Sequence, residues 1–360
     1  MERFAFIIHP ISARRDASRK FPWARFLPEW LLEILLLRME SRVISHIEGV
    51  RSLTGAEAEG WFIGCPLTPR QFMSLPEKIV LPKVIQAAKI AEDLGANIVG
   101  LGAFTSVVGD AGISVSQAVK IAVTTGNTYT IATALEATRK AAALMGIDLS
   151  KATVAVVGAT GSIGNACAQI LSAEVPKLIL VARHLEGLHS LANDLRRNTS
   201  VSCSRDVNSA LKKADVVITV TSAVDAVIYP ESLKSGSVVC DVARPRDVSP
   251  LVAKARPDVL VIEGGVVSVP GNVKFNFNFG FPAGTAYACM AETMILALEG
   301  RYECFSLGRR MKVARVQEIS QLAAKHGFSL AGFRCFERAL TDEQIAKVRL
   351  AAEKARLKVT

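Results

Sequence analysis

Short apolar runs rich in β-branched residues and stretches of helical spacing take turns along most of this chain. The runs read as buried strands and the stretches between them as helices. Phe4–Ile8 is a brief strand, followed by a loop-like basic stretch with Arg14, Arg15, Arg19, Lys20 and Arg25. A leucine-rich helix then spans Phe26 to Met39. In it Glu29 and Glu33 lie one above the other, leaving a wide face of Trp30, Leu31, Ile34, Leu35 and Leu37. Three readings of this helix stand side by side: a core helix, a surface helix that meets lipid, or a wall that accepts a long acyl chain.

Further along, the spacing predicts a helix over 83–94 closed by Gly95, a strand over 98–101, a second strand over 117–123, and an alanine-rich helix over 128–145 closed by Gly146. Between 151 and 265 the alternation is regular, with apolar strands at 153–157, 177–182, 215–220, 237–241 and 259–263. Strands apolar on both faces and separated by helices imply a parallel sheet covered on both sides, wound by right-handed crossovers. Lys274–Phe279 alternates strictly and predicts a half-buried strand. Pro282-Ala283-Gly284-Thr285 opens a helix to Leu298, closed by Gly300. The last sixty residues are helical and basic, with Arg309, Arg310, Lys312 and Arg315 near their start and Lys354, Arg356 and Lys358 near their end. The expected fold is α/β, with a doubly wound parallel sheet of Rossmann type over 146–281. A second, discontinuous α/β catalytic domain would be built from 1–145 and completed by the helical segment 282–360.

Composition narrows the classes. A chain of 360 residues has room for two domains of about 150 each, and half of it is hydrophobic, which excludes a mostly disordered protein. The apolar start follows Glu2 and is broken by His9-Pro10, so no secretory signal is read there. The leucine-rich segment is shorter than the ~20 residues of a spanning helix and carries Glu29, Glu33 and Arg38. A cytoplasmic protein is expected, with peripheral membrane contact left open. The seven cysteines are odd in number, scattered and without a CxxC pair, which speaks for a reducing compartment and against a disulfide framework or a metal site. The net charge of +10 comes with no nucleic-acid recognition motif, so no nucleic-acid partner is expected.

The chemistry begins at residue 153. Thr153–Val157 runs into Gly158-Ala159-Thr160-Gly161-Ser162-Ile163-Gly164 and then a helix. Glycines in a strand–turn–helix context make a tight turn and let backbone approach a pyrophosphate, which rests on the amides of the helix N-terminus. The second strand ends in Arg183-His184, with no carboxylate before Glu186. An acidic residue there would hold the ribose 2′-hydroxyl of NAD, whereas Arg183 suits a 2′-phosphate, so NADPH is the expected cofactor. A solvated surface arginine is the plainer alternative.

One cysteine has a distinctive setting. Cys289 falls in the first turns of the helix after Pro282, and helix N-termini favour a thiolate. By position alone it is also readable as a small buried hydrophobe. Wider blocks bear on the choice: LGAFTS (101–106), TTGNTYT (124–130), GIDLSKATVAVVGATGSIG (146–164), EGG (263–265), ACMAE (288–292) and KHGF (325–328). In this order they resemble the long-chain fatty acyl-[acyl-carrier-protein] reductases best known from cyanobacteria, over roughly residues 60 to 330. The resemblance implies that a Cys289 thiolate attacks an acyl thioester and that hydride from NADPH then releases a fatty aldehyde. It makes acyl carrier protein or acyl-CoA the partner, and an acidic carrier would suit the basic tail and the 14–25 cluster. The tetrahedral oxyanion needs donors, for which Thr105, Ser106, Thr124 and Asn127 are candidates, the last two being equally readable as helix caps. Residues 10–60 and the tail beyond 330 depart from the family pattern. A shikimate/quinate or amino-acid dehydrogenase is the alternative, but Gly126-Asn127-Thr128 is followed by Tyr129 where such enzymes carry aspartate. A non-catalytic NADP(H)-binding protein would have no use for a reactive thiol.

Overall fold

The computed structural model describes residues 1–357, without the side chains of Arg19 and Lys20; Lys358 lies outside the described residues. The chain opens with β1 (Glu2–Ile8), α1 (Ala13–Lys20), a 3₁₀ turn (Pro22–Phe26) and α2 (Glu29–Arg38). There follow β2 (Arg42–Arg51), β3 (Glu57–Gly64), α3 (Pro69–Ser74), α4 (Glu77–Asp93), β4 (Ile98–Leu101), α5 (Ile113–Ala118), β5 (Ala122–Thr124) and α6 (Asn127–Leu144). The regular stretch contains β6 (Thr153–Val157), α7 (Ser162–Leu171), β7 (Lys177–Val181), α8 (Leu185–Leu195), β8 (Ser200–Ser204), α9 (Val207–Leu211) and β9 (Val216–Thr219). Then come β10 (Val238–Asp241), α10 (Leu251–Ala255), β11 (Leu260–Glu263), α11 (Ala288–Leu298), α12 (Val313–His326) and α13 (Asp342–Leu357).

Two compact units result. The first comprises Met1–Gly126, Ser268–Arg309 and Glu318–Ser329; the second comprises Asn127–Val267, Arg310–Gln317 and the chain from Leu330 onward. This division differs from the expected one, since α6 and the tail join the regular stretch. Apolar burial is the reason. Ile131, Leu135 and Met145 of the α6 region, and Ile345 and Ala352 of α13, are buried in one cluster with Val154, Val156 and Ile262 of the sheet.

The second unit holds a six-stranded sheet in the order β11-β10-β9-β6-β7-β8, every neighbouring pair parallel. The order reverses beside β6, which is the doubly wound arrangement. Strand β8, SVSCS, has no apolar signature and escaped the hydrophobic pattern because it is a half-exposed edge. The first unit carries a mixed sheet in the order Gly271–Lys274, β2, β3, β1, β4, β5, with β1 parallel to β3 and β4. Ala5 and Ile7 share a buried cluster with Val80, Val84 and Ala88 of α4, while the alternate residues Phe4 and Phe6 are buried on the opposite face.

Three local expectations give way to structure. The alternating Lys274–Phe279 segment leaves the ladder after Lys274, because Asn276 adopts a left-handed conformation and Phe275 and Phe279 gather on Phe62, at 5.8 and 5.6 Å between ring centroids. The strand expected over 117–123 is confined to 122–124, since the Asp110 carboxylate accepts hydrogen bonds from the Ser114 amide and hydroxyl and starts α5 there. The leucine-rich helix is not a core helix. Leu32 is the one buried residue of α2, and Trp30, Ile34 and Leu35 are exposed.

Glu263, at the end of β11, is buried between Arg244 and Arg246, whose guanidinium nitrogens lie 3.3 and 2.8 Å from its oxygens. Burial by itself would raise its pKa. The charge of Arg244, the Glu337 amide and Arg246 outweigh that and hold the carboxyl below its ordinary value. Such a group stabilises the fold above the unfolded glutamate pKa and loses that contribution as pH falls through the lower folded value. Glu263→Gln is therefore expected to cost about 3–5 kcal/mol at neutral pH, by removing the buried carboxylate that Arg244 and Arg246 share. Urea melts of the two proteins across acidic pH check this: the gap must narrow as pH drops, and a pH-independent gap would contradict the charge argument.

Candidate active site

Helix α11 is buried along its length, and Cys289 is its one residue that is only partly covered. The strand Thr285–Tyr287 precedes it, so the helix begins three residues later than the 282–285 turn suggested and Cys289 is its second residue. Tyr287 is the N-cap and makes no side-chain cap hydrogen bond, so the cap's side chain takes none of the first-turn amides. Those amides give a helix N-terminus partial positive charge, and Cys289 lies in that first turn. Of the other six cysteines Cys304 is exposed, and the remaining five are poorly suited to be nucleophiles. Burial pushes Cys65 and Cys240 up to about 12 and Cys335 up to about 11, and it also raises Cys167 and Cys203.

The Thr124-Thr125-Gly126 turn presses directly on Cys289. Gly126 has φ +75°, and a Cβ placed on it would lie 2.3 Å from both Cα and Cβ of Cys289. Only glycine satisfies both the left-handed backbone and the contact. A buried network anchors this turn. The Thr124 hydroxyl donates to Glu292 Oε1 at 2.5 Å, and the Ser306 hydroxyl donates to the same oxygen at 2.7 Å. The Thr125 amide donates to Ser306 Oγ, and its hydroxyl donates to the Ser306 carbonyl. Glu292 and Ser306 did not emerge from the sequence reading, although a single acid three residues after Cys289 in an apolar helix was a usable signal.

The remaining expected donors are committed locally. The hydroxyl of Thr105 donates to the Gly102 carbonyl at 2.8 Å and that of Ser106 to the Ala103 carbonyl at 2.7 Å, closing the 3₁₀ turn after β4. His9 is likewise engaged on both ring nitrogens, with the Pro10 carbonyl and the Phe104 amide, and burial lowers its pKa towards the neutral form. The KHGF block holds the far end of α11. Lys325 and His326 both reach Glu299, and His326 also meets Ser52 Oγ at 2.8 Å.

In the second unit, the glycine turn leaves β6 and enters α7 with Gly161 as N-cap. A Cβ on Gly158 would fall 2.3 Å from the Val220 carbonyl oxygen, and one on Gly164 would fall 2.3 Å from the Gly158 carbonyl oxygen. The turn is thus a cradle of bare backbone at the point where the strand order reverses, which fits a dinucleotide pyrophosphate. Thr160 is exposed on it, and Ser162 and Ile163 open the helix with free first-turn amides. Asn127, the first residue of α6, donates from Nδ2 to Ser162 Oγ at 3.3 Å, so it belongs with this turn. The Gly158 and Ala159 amides both donate to the Val181 carbonyl, and exposed Arg183 stands two residues beyond that anchor. Among the described residues no group of three or more His, Cys, Asp or Glu side chains is placed to hold a metal ion.

Residues 139–262 match the family described as Shikimate / quinate 5-dehydrogenase. The chain is 35% identical over 341 residues to an aminotransferase, PigE, of Serratia sp. (strain ATCC 39006), covering 91% of this chain but 39% of that protein. It is 31% identical over 329 residues to the long-chain acyl-[acyl-carrier-protein] reductase of Synechococcus elongatus, covering 87% of this chain and 94% of that one. Among solved structures, L-tryptophan dehydrogenase from Nostoc punctiforme is similar at a TM-score of 0.41 and 12% identity, covering 98% of this chain and 89% of that one.

Proposed function

The chain belongs to the long-chain acyl-[acyl-carrier-protein] reductase family, and from that premise we propose that it reduces a fatty acyl thioester to a fatty aldehyde with NADPH through an acyl-enzyme on Cys289. Carrying this reading is one observation: the single partly accessible residue of a buried helix is a cysteine at the helix N-terminus. Thiolates attack thioesters readily and are good leaving groups, so a cysteine suits a two-step transfer. In the first step the sulfur of Cys289 bonds to the acyl carbon and the carrier thiol leaves. The first-turn amides of α11 are oriented to share the developing oxyanion charge, and the Gly126 turn fixes the rotational freedom of the thiol's backbone. Bound NADPH supplies the hydride that reduces the acyl thioester to aldehyde and returns Cys289 as thiolate.

Gly158, Gly161 and Gly164 make the pyrophosphate cradle, Thr160, Ser162 and Ile163 line it, and Arg183 pairs with the 2′-phosphate. Thr124 acts by anchoring the turn that bears on Cys289, and Thr105 and Ser106 by closing the turn after β4. The donor is acyl-[acyl-carrier-protein], with acyl-CoA as the other candidate, and the reaction is cytoplasmic. Among the described residues no helix is long and apolar enough to cross a membrane.

Incubation with NADPH and acyl-[acyl-carrier-protein] or acyl-CoA should yield fatty aldehyde. Oxidation of shikimate, quinate or an amino acid with NADP⁺, in the absence of aldehyde formation, would replace this reading with the dehydrogenase one suggested by the match over 139–262. Cofactor choice has its own test. Arg183→Ala should weaken NADPH binding by roughly ten- to hundredfold and leave NADH binding unchanged, as loss of a charge-assisted hydrogen bond predicts. Titration of both cofactors decides, and equal affinity in the unmodified protein would remove Arg183 from the site.

A further inference from the structure

Residues 11–39 hold an apolar surface that the cysteine chemistry does not use. Trp23, Phe26 and Trp30 are 56%, 75% and 62% exposed, and Phe21, Ile34 and Leu35 beside them are exposed as well. The segment's own core is small, formed by Ala13, Ala24 and Leu32. A helix whose wide apolar face is left exposed has something other than water on that face when at work. The charges say what that is. Six basic and three acidic residues lie between Ile11 and Met39. All three acids are held within the fold, and two of them also face arginines: Glu29 lies 3.9 Å from Arg14 Nε and Asp16 lies 3.5 Å from Arg15 Nε, which leaves the segment with more positive than negative charge. Asp16 accepts from the Ile11 and Ser12 amides, Glu29 from the Ser12 hydroxyl and the Arg14 amide, and Glu33 from the Thr68 hydroxyl. Arg14, Arg15 and Arg25 are exposed, and the Arg25 guanidinium lies over the Phe26 ring at 4.6 Å. Tryptophan and phenylalanine among exposed arginines match the boundary of an anionic bilayer, where rings sit at headgroup depth and guanidiniums meet phosphate.

We infer that the segment from Ile11 to Met39 is a docking surface for an anionic lipid bilayer. A protein partner would call for a more complementary, less cationic face, and an acyl-chain wall would call for rings turned inward. The inference does not depend on Cys289 being the nucleophile, and it can fail or stand apart from that chemistry.

The test uses the whole protein with vesicles of phosphatidylcholine alone or mixed with equal parts of phosphatidylglycerol. Two of the chain's three tryptophans, Trp23 and Trp30, lie in the segment, so binding is read as a blue shift of their emission as well as by sedimentation. Binding should require the anionic lipid and weaken with salt. Arg14→Gln, Arg15→Gln and Arg25→Gln should each weaken it roughly fivefold, and the triple variant about a hundredfold. Trp23→Ser with Phe26→Ser should abolish it while the melting temperature and the activity on soluble acyl-CoA stay as in the parent. Absence of vesicle binding overturns the inference. So does a self-association of the protein that Trp23→Ser with Phe26→Ser dissolves, which would make the face a protein interface. A rise in KM for soluble acyl-CoA without vesicle binding overturns it in favour of an acyl-chain wall.

Discussion

Cys289→Ser is expected to lower aldehyde formation by at least about a thousandfold, the scale seen when a nucleophile is removed from an enzyme that works through a covalent intermediate. Serine keeps the shape of the side chain but does not ionise near neutral pH, so nothing is left to attack the thioester at the N-terminus of α11. NADPH binding should persist, because the glycine turn and Arg183 belong to the second compact unit and Cys289 to the first. Omitting NADPH gives a second readout. With acyl-CoA alone the unmodified protein should gain the mass of one acyl group, hydroxylamine should strip it, and Cys289→Ser should not gain it. Peptide mapping should place the adduct on Cys289. Cys65 is a weak rival, since burial pushes its thiol up to about 12, whereas Cys304 is exposed and is the residue to watch. An adduct on Cys304, or near-normal turnover by Cys289→Ser, would end the mechanism and leave the fold and cofactor arguments standing.

Gly126→Ala should slow acylation by about a hundredfold or more, the penalty for misplacing a reacting group by roughly 1 Å. The added methyl carbon would meet Cα and Cβ of Cys289 at 2.3 Å and its carbonyl oxygen at 2.7 Å. Carbon atoms normally rest about 3.5–4.0 Å apart, so the turn or the first turn of α11 must move by more than an ångström. The turn resists moving because Thr124 and Ser306 both hold Glu292 inside the first unit. A left-handed alanine adds about 1–2 kcal/mol of backbone strain to the overpacking. Urea denaturation should therefore show reduced stability alongside the slower single-turnover acylation, with the NADPH dissociation constant unchanged. Normal acylation by Gly126→Ala would mean that the turn does not position the thiol.

Neither expectation rests on the hydrophobic pattern alone. The pattern determined the regular stretch: five of the six strands in the parallel sheet of the second unit are short apolar runs, and a parallel sheet buried on both faces leaves such runs no other arrangement. The glycine turn was legible for the same reason, since strand, glycines and helix are contiguous and their geometry is local. Cys289 was legible as a candidate because a helix N-terminus is also a local feature, and its family-like surroundings raised it above the other cysteines. The β2–β3 hairpin, the polar edge strand β8 and the placing of α6 and the tail with the second unit were decided by tertiary packing. An edge strand needs only one covered face, and a helix joins whichever sheet offers its apolar side the larger partner. The same holds for the buried carboxylate. A glutamate at position 292 is an ordinary polar residue until Thr124 and Ser306 arrive from distant parts of the chain to supply its hydrogen bonds. Sequence alone determined the elements and turns whose physics is local; which hydroxyls serve that carboxylate, and that Gly126 bears on Cys289, followed only from folding, because contacts between residues so far apart depend on where packing puts their backbones.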